Sequence, residues 1–136
     1  ELPLYVDNLD YLSKAKRYVS DPSLKDYKAA ILYTRTAFEH CLKRFCEKER
    51  VRVRFLRDQH RLTAEDFWSA VRNAEKKSGN GEKTKWVSDS LASDIDVCKK
   101  FVLNPLSHDH LINASKKEVL QTIDSVENLK KALKVP

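Results

Sequence analysis

The chain has no methionine, only two glycines, four prolines and three cysteines in 136 residues. Each shortage excludes something. Glycine and proline supply the tight turns that a many-stranded sheet needs in number, so composition disfavours a sandwich or barrel and favours helices. Cys41, Cys46 and Cys98 are an odd set without paired spacing, which argues against a disulfide framework. Cys41 and Cys46 stand five apart on one expected helix and point in different directions, so free thiols in a reducing cytoplasm are expected. No apolar run approaches the ~18 residues that span a membrane. No stretch has the charged, apolar, small-residue order of a secretory leader. A start at Glu1 without any methionine is what a piece of a longer protein would show.

What is present suits one domain with a modest core, since hydrophobic residues make up 41%. The net charge of +6 is unevenly spread. Between Lys43 and Arg61 lie eight basic residues (Lys43, Arg44, Lys48, Arg50, Arg52, Arg54, Arg57, Arg61) against Glu47, Glu49 and Asp58, a local balance of +5. Such a patch can hold RNA or DNA through phosphate contacts. It can equally be a solvated surface that aids solubility.

The strongest periodic signal runs from Leu24 to about Arg50. Leu24, Tyr27, Ile31, Thr34, Phe38, Leu42 and Phe45 recur at three- and four-residue steps, which predicts one long helix, with Ser23 as its cap. Tyr5 to Val19 reads as a shorter helix before it, joined through the turn Asp21-Pro22-Ser23. Val51 to Phe55 alternates apolar and basic residues, consistent with a short strand or an extended connector reaching Leu62. Thr63 followed by Ala64-Glu65-Asp66 reads as the start of a third helix, to about Lys77. Ser78-Gly79-Asn80-Gly81 is the clearest loop. A fourth helix is predicted from Thr84 to Leu103, ended by Asn104-Pro105. Ser115 and Glu118 form a capping box for a last helix, about Lys116 to Leu133. The expected architecture is an all-α antiparallel bundle of about five helices.

Two places could carry chemistry. At ~100° per residue Arg35 lies about 70° from the centre of the long helix's apolar stripe, and Glu39 follows it by one turn. The pair is either an ion pair continued by Lys43, or an arginine held ready to grip a phosphate with its planar fork. His108 and His110 lie in the break after Pro105, where a histidine can exchange protons near neutral pH or simply cap nearby helix ends. Zinc held by His108, His110 and Cys98 is disfavoured, because no second Cys or His pair stands at finger spacing. There is no glycine-rich phosphate loop and no Gly-flanked serine. Trp68, Trp86 and the tyrosines read as packing residues rather than base-stacking platforms.

Two stretches, Tyr33-Thr34-Arg35-Thr36-Ala37-Phe38-Glu39 and Leu103-Asn104-Pro105-Leu106-Ser107-His108, together resemble the HEPN superfamily of small helical domains. The likeness is closest to the C-terminal domain of PrrC- and RloC-type anticodon nucleases and related bacterial defence ATPases. Asn104 and His108 fit the polar and histidine places of the common HEPN motif, while Leu103 stands where its arginine would be. In the anticodon-nuclease version the arginine and glutamate come from the earlier helix, and Arg35 and Glu39 match that. The resemblance implies a metal-independent, cofactor-free endoribonuclease with Arg35, Glu39 and His108 as catalytic residues. It also implies RNA, possibly tRNA, as substrate, held by Asn104, Lys43, Arg52, Arg54 and Arg57. It further implies a homodimer, an ATPase domain or subunit in the full-length protein, and a cytoplasmic place in anti-phage or stress defence. The competing expectation is a non-catalytic dimerisation or docking module of a larger defence ATPase. A DNA-binding domain is a further rival, although no recognition-helix signature stands out.

Overall fold

Capping chemistry sets where each helix begins. The structure, a computed structural model, describes residues 10–23, 25–51, 64–102 and 115–135. Asp10 is extended, and its carboxylate accepts from the Ser13 backbone N–H at 3.1 Å and from the Ser13 hydroxyl at 2.6 Å. Helix α1 therefore runs Tyr11–Ser20: the helix expected from Tyr5 does not pass through Asp10 unbroken, and Tyr5 to Leu9 lie outside the described residues. A short carboxylate that satisfies the N–H groups of the first turn ends the helix on its N-terminal side more effectively than periodicity extends it.

Helix α2 spans Tyr27–Glu49. Its cap is Asp26, whose side chain accepts from Ala29 N–H at 3.1 Å, not Ser23 as the sequence predicts. Ser23 is engaged instead by Asp21, donating its N–H at 2.9 Å and its hydroxyl at 2.7 Å in an Asx-type turn. The Asp26 N–H bonds back to Tyr18 O at 2.9 Å and so joins the two helices at the turn. Arg50 ends α2 in the left-handed conformation, φ 53°.

Helix α3 covers Ala64–Asn73; its expected cap Thr63 and the alternating stretch after Val51 lie outside the described residues. It stops earlier than predicted, because the chain turns into a hairpin of β1 (Glu75–Lys77) and β2 (Lys83–Lys85), paired antiparallel with Glu75 opposite Lys85, Lys76 opposite Thr84 and Lys77 opposite Lys83. The predicted helix from Thr84 is thus corrected. Ser88 caps α4, Asp89–Val97, accepting from Leu91 N–H at 3.1 Å. The helix breaks at Cys98 and resumes for one turn as α5, Lys99–Val102. The last helix, α6, runs Lys116–Leu133 with the capping box of Ser115 and Glu118 formed as the sequence predicts.

The bundle packs around α2, which lies against α1, α3, α5 and α6. Phe38, Phe45, Ile31 and Leu42 of α2 are fully buried with Val71 of α3, Ile95 of α4, Val102 of α5 and Val119, Ile123, Leu129 and Leu133 of α6. Buried Thr34 and Thr122 donate their hydroxyls to the carbonyls one turn back, at 2.8 Å each, so neither costs an unmet hydrogen bond. Helix α1 runs antiparallel to α2, whereas α2 and α6 run parallel: Lys48 Nζ donates to Lys134 O at 3.4 Å where the two helices end together. Two negative helix-dipole ends meet there, and Lys48, Lys130 and Lys131 of the last turns offset them. Among the described residues no helix is long and apolar enough to cross a membrane.

All three cysteines are buried and unpaired. Burial pushes the Cys41 thiol from 9.0 up to about 12, and the Cys46 and Cys98 thiols up to about 11. Two expectations follow from this core. A thiol-specific reagent at pH 8 should label none of the three until denaturant is added. The folded state holds these protons more tightly than the unfolded chain, so stability is full below about pH 9 and declines as pH rises towards 11–12. Urea melts on either side of pH 9 would read that decline. In the same melts Phe38→Ala should cost about 3–5 kcal/mol, whereas Leu32→Ala, on a side chain 44% exposed, should stay within about 0.5 kcal/mol of the parent.

Candidate active site

Arg35 stands at the edge of the buried face of α2, half-buried, and reaches across to α5. Its Nε and Nη2 donate to the carbonyl oxygen of Phe101 at 3.0 and 2.8 Å. In a continuing α-helix Phe101 O would accept from the N–H four residues on, and that residue is Pro105, which has none. The guanidinium bonds the same carbonyl with two N–H groups. A cation at the C-terminal end of a helix is also favoured by the helix dipole. Desolvation pushes the Arg35 pKa down from its ordinary value, and the negative charge of Glu39 acts in the opposite direction. Arginine remains charged under such a shift.

Glu39, half-buried, and Lys43, exposed, continue the same ridge of α2 at one-turn steps. Lys43 Nζ sits 5.8 Å from the centre of the Phe67 ring on α3. The ridge thus runs from the end of α5 at Arg35 to the side of α3 at Lys43. The structure brings together three of the expected residues, Arg35, Glu39 and Lys43. His108, Asn104, Arg52, Arg54 and Arg57, with His110, lie outside the described residues. The described part of the basic segment is exposed at Lys43, Arg44, Lys48 and Arg50.

Cys98, the sulfur ligand of the zinc set with His108 and His110, buries its thiol, which donates to Asp94 O and Ile95 O at 3.4 Å. With its pKa raised to about 11, it is a poor source of the thiolate that zinc requires. Among the described residues no group of three or more His, Cys, Asp or Glu could hold a metal ion.

Two further features were not anticipated as functional. On the far side of α2, about 160° from Arg35, Tyr33 stacks with Tyr11 and Tyr18 at 6.4 and 5.6 Å, Lys14 lies over its ring, and His40 meets Tyr11 edge-on. These tyrosines pack against the core, as the sequence predicts. An open groove of about 770 Å³ between α4 and α6 is lined by Asp94, Lys116, Lys117, Leu120, Gln121 and Asp124 among others; Arg35, Glu39 and Lys43 do not line it. Its mixed charges do not select a polyanion.

The Arg35 fork is testable as a structural element. Arg35→Met should cost about 1.5–3 kcal/mol in a urea melt. Arg35→Lys should recover little of that loss, because an ammonium cannot reproduce a planar two-point contact. Full recovery by lysine would mean that charge alone matters.

Comparison of the chain with protein-family models, with curated proteins and with solved structures found no match.

Proposed function

We propose that the chain is a metal-independent endoribonuclease domain of the HEPN type. The observation that carries this reading is the contact of Arg35 with Phe101 O. The two sequence stretches that resemble the HEPN motifs are far apart in the chain. The guanidinium of the first is hydrogen-bonded to a carbonyl two residues before Leu103, where the second begins.

In this reading a ribose 2′-hydroxyl attacks the adjacent phosphate. His108 moves the proton as general base or acid. Arg35 stabilises the charge that develops on the phosphate, an effect of proximity and low dielectric that survives its bonding to Phe101. Glu39, one turn along the same ridge, orients Arg35 or shares the proton transfer. Lys43, Asn104, Arg52, Arg54 and Arg57 hold the RNA backbone. The products are a 2′,3′-cyclic phosphate and a 5′-hydroxyl. A homodimer, an ATPase partner in a longer protein, and a cytoplasmic defence role belong to the same proposal.

A second reading is favoured by one specific observation. The two N–H groups of Arg35 tie the one-turn helix α5 to α2, and this alone gives Arg35 a structural reason to be where it is. On that reading the bundle is a non-catalytic docking or dimerisation module.

The test is incubation with tRNA in the presence of EDTA, beside His108→Ala, with Arg35 and Phe101 both kept. Expected are cut RNA with cyclic-phosphate ends from the parent and at least a ~100-fold loss in the variant. RNA left whole by the parent, or cut equally by both proteins, would overturn the nuclease reading and favour the module.

A further inference from the structure

The β1–β2 hairpin has no apolar residue, and every residue from Glu75 to Lys85 is exposed. A two-stranded hairpin without an apolar face is marginal in water. This one is held at its two ends instead. At the tip, Ser78 N–H donates to Glu82 O at 2.8 Å, Gly81 N–H to Ser78 O at 3.0 Å, and Asn80 Oδ1 accepts from Glu82 N–H at 3.2 Å and from the Ser78 hydroxyl. Gly81 takes φ 86°, a conformation that a side chain would strain. At the base, Trp86 N–H donates to Ala74 O at 3.2 Å, and the indole ring meets Phe45 edge-on at 5.2 Å. Lys76 Nζ lies 5.0 Å above that indole ring.

The register sorts the side chains. Residues two apart on a strand, and residues directly opposite, share a face. Lys76 and Thr84 therefore occupy the face that carries Trp86, and Glu75, Lys77, Lys83 and Lys85 occupy the other. That outer face has a net charge of +2. Glu75 stands opposite Lys85, a favourable pair, but Lys77 stands directly opposite Lys83. Like charges at that separation destabilise a hairpin. A hairpin shaped for stability alone would pair opposite charges at both positions.

We infer that the β1–β2 hairpin is a phosphate-gripping arm, with Lys77, Lys83 and Lys85 contacting the backbone of a single-stranded RNA. An anion between Lys77 and Lys83 turns their repulsion into attraction, so binding stabilises what the free arm lacks. Lys83 and Lys85 stand roughly 6.7 Å apart along one strand, which makes the contacts a short row and not a point. Phosphate contacts carry no base information, so the arm adds affinity and orientation but not sequence choice. RNA is selected as the polyanion on the nuclease reading above; the arm itself requires only a phosphate chain.

The test compares the His108→Ala chain, chosen so that cutting does not obscure binding, with the same chain carrying Lys77→Gln, Lys83→Gln and Lys85→Gln. Fluorescence anisotropy with a labelled single-stranded RNA is read across a salt series. Three lost phosphate contacts should lower the slope of log K against log salt by about 2. The circular dichroism should be unchanged and the melting point nearly so, since the Lys77–Lys83 repulsion and the favourable Glu75–Lys85 pair are lost together. An unchanged salt slope, no RNA binding by the parent, or binding to anionic lipid vesicles in place of RNA would overturn the proposal. If the lysines only guard the open strand edges, the glutamine variant will self-associate while binding RNA as before, and that too overturns it. Cleavage is scored separately on the chain with His108 intact. Binding with the expected slope change but no cutting keeps the arm and sinks the nuclease reading. Cutting with an unchanged slope does the reverse.

Discussion

The geometry of the candidate site depends on one contact between a guanidinium and a backbone carbonyl. Arg35 donates two N–H groups to Phe101 O, 66 residues later in the chain, at 3.0 and 2.8 Å. The contact is long-range, charge-assisted and half-buried, which makes it a stronger constraint on position than a surface ion pair. It fixes the one-turn helix α5 against the middle of α2. A four-residue helix has little stability of its own and needs such tertiary support. The same contact gives Arg35 a fixed place beside the segment that leads to His108.

Around that contact the bundle is ordinary hydrophobic packing with a well-defined electrostatic end. Helix α2 contributes the largest side chains and touches four other helices. Where α2 and α6 end together, both close in left-handed residues, Arg50 and Lys134, and lysines in the final turns oppose the summed dipoles. Part of the basic excess near Lys43–Arg50 therefore has a structural task, and charge count alone overstates what remains for a polyanion. The surface ion pair of Arg72 with Asp96, at 3.0 Å, joins α3 to α4 but is well exposed and adds little.

The last helix was legible to the residue, because a capping box is a local signal that needs no tertiary information. The long helix was legible in its apolar stripe but not in its cap: Asp26 takes the cap while Asp21 engages Ser23, and several polar residues there could have filled either role. The hairpin was illegible. Lys-Thr-Lys pairs with Glu-Lys-Lys, so no apolar alternation marks either strand, and Trp86, Val87, Leu91 and Ile95 carry a helical rhythm straight across the junction. Periodicity reports which residues are buried. It is silent on a segment that buries none. In the site, the placing of Arg35 at the edge of the core was readable from the helical wheel, yet its partner was not. Glu39 stands at the right spacing for a partner, whereas Phe101 O enters only through the fold.

The contact of Arg35 with Phe101 is best tested by heteronuclear NMR of the arginine side chains. The Arg35 Nε–H should exchange with water slowly and show through-space contacts to protons of Phe101 and Val102, while exposed Arg44 does neither. An Arg35 Nε–H that exchanges as fast as that of Arg44, without those contacts, would contradict the account.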